Sequence, residues 1–170
     1  MASLSTQVII LEYSDIKPLT LLPINMFSKL KRIISMVTKS NNHNVQENSL
    51  YQLIGGESGT RNLAEAFYDE METNIHLQEL LAIHKQPLDN IRQKFFEFLS
   101  GWLGGPRLFE QKYGHPQLRA RHMPFQVTKK QRDLWMLCMN NAMKKVIDDK
   151  EIEQHLRQAF DQMASHMVNC

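Results

Sequence analysis

The pattern of apolar and polar residues after residue 50 is that of amphipathic helices. Apolar side chains recur every three or four positions, which places them on one face of a helix with about 3.6 residues per turn. No stretch of this part alternates with the period of a strand, so the pattern predicts an all-α domain over residues 51–170. The four longest apolar faces are formed by Leu63, Ala66, Phe67 and Met71; by Leu88, Ile91, Phe95, Leu99 and Trp102; by Trp135, Cys138, Met139, Ala142, Met143 and Val146; and by Ile152, Leu156, Ala159, Phe160, Met163 and Met167.

Capping and breaking residues set the ends of these predicted helices. The stretch 104–106, Gly-Gly-Pro, ends the second long helix, since glycine commonly follows a helix and proline cannot continue it. Thr128 and Gln131 form the capping-box pattern ahead of the third long helix, and Asp148 or Asp149 caps the fourth. The predicted spans before residue 104 are 57–71, a short turn over 77–84, and 88–103.

Residues 1–50 lack the pattern of the domain and are predicted to be an N-terminal extension and linker. The apolar run 8–11 is too short to span a bilayer, and its surroundings are not typical of a signal peptide. Residues 26–39 combine apolar residues at helical spacing with four basic residues, as in helices that contact membrane surfaces. A loosely docked leading helix explains the same pattern and is the interpretation we favour. Residues 40–49 are polar and typical of a linker, and translation starting at Met26 is a further hypothesis.

The composition is that of one soluble globular domain. The chain has 170 residues, of which 42% are hydrophobic and 22% charged, and its net charge is +2. This balance gives no reason to expect a nucleic-acid partner. Cys138 and Cys170 form neither a disulfide framework nor a Cys-x-x-Cys metal pattern. Such cysteine usage suits a reducing compartment, so we expect a cytoplasmic protein.

The segment 114–125 holds the strongest candidate chemistry in the chain. Its sequence, Gly-His-Pro-Gln-Leu-Arg-Ala-Arg-His-Met-Pro-Phe, combines two histidines, two arginines and two prolines. Pro116 fixes one backbone angle and is predicted to lie in the first turn of a short helix. Pro124 is predicted to end that helix and to hold Met123 in an extended conformation. His122 then lies on a rigid backbone, which is what a metal ligand requires.

The run Gly-His-Pro-x-Leu-Arg-x-Arg-His-x-Pro-Phe resembles the proximal segment of the truncated haemoglobins, specifically their second group, group II. Tyr51–Gly56 and the Gly-Gly-Pro stretch at 104–106 are also similar to that family. The resemblance implies a two-over-two helical sandwich around haem b, iron protoporphyrin IX, over residues 51–170. It places the axial ligand to iron on His122 and not on His115. The N-terminal extension departs from the family pattern.

The same resemblance assigns the side chains on the distal side of the haem. Tyr68 and Trp135 take the places of the family's distal tyrosine and tryptophan, whose O–H and N–H groups can donate hydrogen bonds to a bound gas. His84 lies where the family carries an aromatic residue or a histidine. It could hydrogen-bond Tyr68 or touch the ligand, and a solvent-facing histidine is the alternative. Ile91 and Phe95 are expected to face the distal cavity, and Phe95 is also expected to contact the haem.

Three further residues are expected at the haem itself. Phe125 closes the proximal motif and is expected to contact the cofactor. Lys94 and Arg121 match basic positions near the haem edge in the family and could pair with the haem propionates. The alternative for both is an ordinary solvated surface charge.

These assignments imply a haem protein that reversibly binds, and could transport, dioxygen and other diatomic gases. A redox enzyme on the same scaffold, such as a nitric oxide dioxygenase or a peroxidase with a reductase partner, is the alternative. Donors that stabilise bound oxygen also stabilise the oxygen atoms of a reacting intermediate, so the residues do not separate the two. A haem-free helical regulator is a third hypothesis. A zinc site built on His115 and His122 is a fourth, and a poor one, since no cysteine or carboxylate lies near them.

Overall fold

The structure is a computed structural model that describes residues 49–84 and 86–170. Of the extension predicted over 1–50, residues 1–48 lie outside the described residues. They include the basic segment 26–39 and residues 40–48 of the linker. Within the described part the chain is helical and contains no strand, which confirms the all-α prediction. The helices are α1 (Leu50–Leu53), α2 (Gly56–Thr73), α3 (Gln78–Ala82), which a 3-10 turn (Ile75–Leu77) precedes, α4 (Asp89–Trp102), α5 (Leu108–Tyr113), α6 (Leu118–His122), α7 (Lys129–Val146) and α8 (Lys150–Met167).

Two pairs of long helices form the body of the domain. α2 packs against α4, α7 packs against α8, and α2 and α7 join the two pairs. The short helix α6 lies against α8. Every apolar face predicted from the sequence contributes buried side chains to this core, for example Leu63, Leu99, Met139 and Leu156, none of which has any exposed surface. Burial of these faces supplies the hydrophobic stabilisation that helices of this length need.

Local capping agrees with the sequence at both later helices. The Thr128 hydroxyl accepts a hydrogen bond from the backbone N–H of Gln131 at 3.2 Å, and the Gln131 side chain accepts one from the Thr128 N–H at 2.8 Å. This is the predicted capping box of α7. Asp149, one of the two candidates for α8, is the cap, because its carboxylate accepts from the N–H groups of Glu151 and Ile152.

The helix that carries His122 differs from its prediction in two details. Pro116 precedes the helix instead of lying in its first turn, because Gln117 adopts a left-handed backbone conformation with φ of 37° and α6 begins only at Leu118. Met123 is helical and not extended. Its N–H donates to the carbonyl of Arg119 at 3.0 Å, which completes the last turn before Pro124.

Glu70 is a buried carboxylate that joins α2 to α7. It accepts hydrogen bonds from Lys145 at 2.6 Å, from Asn74 at 2.6 Å and from Asn141 at 2.8 Å. The hydrogen bond from Lys145 is the largest cause of a pKa lowered from 4.5 to about 2, although burial acts in the opposite direction. Hydrogen bonds to the charged form stabilise it in the folded state, so the carboxylate is ionised in the native protein at any ordinary pH.

This arrangement predicts a specific loss of stability in acid. Because the folded pKa of Glu70 is depressed, its contribution is complete above the unfolded value near 4.5 and is lost as the pH falls toward about 2. Glu70→Gln should lower the free energy of unfolding at pH 7 by about 1–3 kcal/mol and flatten its decrease between those pH values. Urea denaturation at a series of pH values tests this. Glu57→Gln, which removes an exposed pair with Arg61, is the control and should keep the wild-type slope. An unchanged slope for Glu70→Gln would refute the assignment.

Candidate functional site

A cavity of about 500 Å³ lies between the two helix pairs and the segment around α6. This volume is within the range of small-molecule and cofactor sites. Most of its lining side chains are apolar, and a few polar groups converge on it. The lining residues are Phe67, Tyr68, Leu80, Ala82, Ile83, His84, Phe95, Leu118, His122, Pro124, Phe125, Gln126, Val127, Gln131, Arg132, Trp135, Met163, Ala164 and Met167.

His122 is the last residue of α6 and is buried at the cavity wall. Its Nδ1 lies 2.6 Å from the carbonyl oxygen of Leu118. A carbonyl can only accept, so Nδ1 carries the proton and Nε2 keeps its lone pair. Burial lowers the pKa of His122, against the opposite effect of that hydrogen bond. The imidazole is therefore neutral at neutral pH, and its Nε2 is available to ligate a metal.

Aromatic rings centred on Phe67 form another wall of the cavity. The Phe67 ring lies 5.2 Å from the ring of Tyr68, 5.0 Å from that of Phe95 and 5.4 Å from that of Trp135. Among the described residues, neither the Tyr68 hydroxyl nor the Trp135 indole N–H has a hydrogen-bond partner, although both side chains line the cavity. Burial is the largest cause of a raised pKa for Tyr68, so its hydroxyl stays protonated. Two donors are thus available to a molecule inside the cavity.

His84 lies beside Tyr68 and also lines the cavity. Its Nδ1 lies 2.7 Å from the carbonyl oxygen of Leu80, and its ring centre lies 6.2 Å from that of Tyr68 in an edge-on arrangement. Burial lowers the pKa of His84, and His122 adds to this effect. His84 is therefore a half-buried, neutral imidazole that lines the cavity.

Arg92 lies over the Tyr68 ring. It was not identified from the sequence. Its guanidinium lies 5.5 Å from the ring centre of Tyr68 and forms ion pairs with Glu65, Asp69 and Glu72. The side chain of Arg92 is only 13% exposed. The signal in the sequence is the spacing of the three carboxylates, which lie four and three residues apart and therefore form one stripe along α2.

Arg132 is the second residue that the sequence did not single out. Within the described part of the chain it is the only Lys or Arg side chain that lines the cavity. Its guanidinium is held by Asp133 at 2.6 Å, by Asp161 at 2.5 Å and by the Ser165 hydroxyl. The guanidinium at this edge of the cavity is therefore already paired with two carboxylates.

Three of the residues expected near the ligand or the haem do not line the cavity. Ile91 is buried in the core one turn before Phe95, the only α4 residue in the lining. The ammonium group of Lys94 lies over the Tyr113 ring at 5.3 Å from its centre. Arg121 is partly buried beside His122 and is also absent from the lining.

His115 and His122 do not form the zinc site that was considered from the sequence. His115 is exposed, and its Nδ1 accepts from the Gln117 N–H at 3.3 Å, whereas His122 is buried. Residues 49–84 and 86–170 contain no group of three or more histidine, cysteine or acidic side chains arranged to hold a metal ion. In the same residues, no helix combines the length and the apolar composition that crossing a bilayer requires.

The chain is similar in sequence and fold to several known proteins. A family model described as bacterial-like globin matches residues 49–169. The group 2 truncated hemoglobin YjbI of Bacillus subtilis is 37% identical over 122 residues, which cover 72% of this chain and 89% of that protein. Among solved structures, the cold-adapted truncated hemoglobin of the Antarctic marine bacterium Pseudoalteromonas haloplanktis TAC125 is 50% identical with a TM-score of 0.71, covering 72% of this chain and 99% of that one. The truncated oxygen-avid haemoglobin of Bacillus subtilis is 36% identical with a TM-score of 0.64, covering 72% and 100%.

Proposed function

The chain belongs to the bacterial-like globins and, among them, to the group II truncated haemoglobins with their two-over-two helical fold, and from this premise we propose how it binds its cofactor and ligand. Haem b occupies the cavity, His122 is the axial ligand to its iron, and the protein reversibly binds dioxygen and other diatomic gases. The observation that carries the proposal is the neutral imidazole of His122, whose Nε2 is left available in an apolar cavity.

The residues present fit haem. The cavity offers the imidazole nitrogens of His122 and His84, apolar and aromatic walls for a flat macrocycle, and the Arg132 side chain at one edge. Haem, when bound, would supply an iron centre that a protein nitrogen can ligate and that can bind a diatomic gas. Phe95 and Phe125 would contact the macrocycle. Of Arg132, Lys94 and Arg121, only Arg132 lines the cavity, and a propionate there would share its guanidinium with Asp133 and Asp161.

Tyr68 and Trp135 would hold the gas. Their O–H and N–H groups have no partner among the described residues, and a donor deprived of water needs one. A dioxygen molecule that carries partial negative charge would accept from both. The His84 ring lies edge-on to the Tyr68 ring, with the ring centres 6.2 Å apart. The solved relative from Bacillus subtilis is described as oxygen-avid, which supports dioxygen as the ligand here.

A visible absorption spectrum tests the cofactor assignment directly. The protein expressed with haem supplied should show an intense Soret band, which should sharpen and shift when the reduced protein is exposed to carbon monoxide. A chain that folds with full helical content and never shows this band would be a haem-free helical protein, and the proposal would be wrong. Turnover of nitric oxide or peroxide by the haem-loaded protein, measured with a reductant, would instead identify a redox enzyme.

Removing either distal donor should accelerate the loss of dioxygen. One hydrogen bond contributes about 0.5–1.5 kcal/mol, so Trp135→Phe and Tyr68→Phe should each raise the dissociation rate by roughly two- to tenfold. Stopped-flow displacement of dioxygen by carbon monoxide measures this rate. Trp102→Phe is the matched control, because Trp102 stacks on Phe160 outside the cavity lining and should leave the rate unchanged. An unchanged rate for Trp135→Phe would remove Trp135 from the ligand network.

A further inference from the structure

Asn169 lies two residues beyond the end of α8, and its side chain reaches the segment that follows His122. Its Nδ2 donates to the carbonyl oxygens of His122 at 3.0 Å and of Phe125 at 2.8 Å. Its Oδ1 accepts from the N–H of Val127 at 2.9 Å, and its own N–H donates to the Val127 carbonyl at 3.1 Å. The amide thus uses both of its donor hydrogens and its oxygen on one six-residue segment.

We propose that Asn169 is a positioning residue for His122. By fixing residues 122–127 to the end of α8, it sets the orientation of the imidazole and therefore the strength with which the protein holds iron. The inference rests on the proposed ligation of haem iron by His122 and deepens it.

The segment needs such an anchor because it has little other support. α6 has five residues, which is far too short for a helix to be stable by itself. His122 ends the helix, so its carbonyl has no partner within the helix and accepts instead from the Phe125 N–H and from the Asn169 side chain, each at 3.0 Å. Met123 is 56% exposed and Pro124 is also exposed, so apolar packing does not hold the residues that follow immediately. Hydrogen bonds therefore decide where this backbone lies.

A second contact shows that α6 as a whole depends on the end of α8. The Arg119 guanidinium donates to the carbonyl oxygens of His166 and Val168. Arg119 and Asn169 thus fix α6 and the following residues to one short stretch. The segment also forms part of the cavity wall, through Phe125 and Val127. A shift of this stretch would therefore move the proximal wall and the imidazole together.

Asn169→Asp is the sharpest variant, because aspartate keeps the size of the side chain and the acceptor for Val127. It removes both donated hydrogen bonds and places a negative charge against the carbonyl oxygens of His122 and Phe125. Asn169→Ala removes all side-chain contacts. Cys170→Ser is the matched control, since the neighbouring Cys170 is exposed.

The test uses the full-length haem-loaded protein in its reduced, ligand-free state. Resonance Raman spectroscopy reports the iron–histidine stretching band, and transfer of haem to excess apomyoglobin reports its rate of loss. In Asn169→Asp the band should shift and broaden, and haem loss should accelerate about 10–100-fold, as for other groups that orient a metal ligand. Cys170→Ser should match the wild type in both measurements. Far-UV circular dichroism measures whether each variant folds. If Asn169→Ala loses helicity, the comparison of Asn169→Asp with the wild type tests the role of Asn169 in orienting His122.

The outcomes separate this inference from the proposed function. A wild-type protein with no iron–histidine band would overturn the function and the inference together. A wild-type band that stays unchanged in Asn169→Asp, even with a lower unfolding temperature, would overturn the inference alone, because Asn169 would then stabilise the fold without orienting His122.

Discussion

Replacing His122 by alanine is expected to abolish the iron–imidazole bond and to weaken the retention of haem by at least about a hundredfold. Mutating a residue that only hydrogen-bonds to a metal ligand already lowers metal affinity by about 10–100-fold. The imidazole is held by the Leu118 carbonyl in the tautomer that leaves Nε2 unprotonated. No other lining residue on α6 or in the following segment has a comparable nitrogen donor. The iron–histidine stretching band of the reduced protein and the transfer of haem to apomyoglobin measure the two effects.

The His122→Ala variant also allows a rescue experiment. Alanine leaves a space of imidazole size at the cavity wall, and imidazole added from solution should fill it and restore a nitrogen-ligated spectrum. His115→Ala is the control, because His115 belongs to the same segment but is exposed; its spectrum and haem retention should equal those of the wild type. An iron–histidine band that survives in His122→Ala would assign the ligand to another histidine, with His84 as the first candidate in the cavity.

The helical period predicted which side chains face inward, and the resemblance to the group II truncated haemoglobins assigned the roles of those at the site. Tyr68 follows the inward-facing Phe67, and Trp135 lies on the apolar face of α7, so both were expected at the interior and both line the cavity. The two prolines of the 114–125 segment correctly indicated a short helix with His122 at its end. These features are local, and local spacing in the sequence is sufficient to predict them.

The residues that sequence reasoning missed act over long distances along the chain. Asn169 contacts a segment more than forty residues earlier, and Arg92 reaches three carboxylates on another helix. The contact of Arg132 with Asp161 is equally distant along the chain, because Asp161 lies on α8. The spacing of Glu65, Asp69 and Glu72 predicts an acidic stripe on α2, but no spacing indicates which distant side chain pairs with it. Lys94 was expected at the haem edge from the family resemblance. Its ammonium group instead lies over the Tyr113 ring.

Truncating Phe67 should produce the largest loss of stability among the cavity residues. Its ring is 1% exposed and contacts the rings of Tyr68, Phe95 and Trp135. Phe67→Ala should lower the free energy of unfolding by about 3–5 kcal/mol, through lost burial and the space left behind. It should also release Tyr68 and Trp135 from their fixed positions, so dioxygen should dissociate faster, approaching the rate of Trp135→Phe. Denaturant unfolding and stopped-flow kinetics at matched haem saturation measure the two effects.

Phe96→Ala separates the two consequences. Phe96 is also 1% exposed and packs under the Arg61 guanidinium at 3.8 Å, but it does not line the cavity. Its truncation should cost a similar 3–5 kcal/mol and leave dioxygen dissociation at the wild-type rate. If both variants accelerate dissociation equally, general loosening of the fold controls ligand escape. If only Phe67→Ala accelerates dissociation, the aromatic wall itself holds Tyr68 and Trp135 in place. The two variants lose a similar free energy of unfolding, so only the position of the removed ring differs between them.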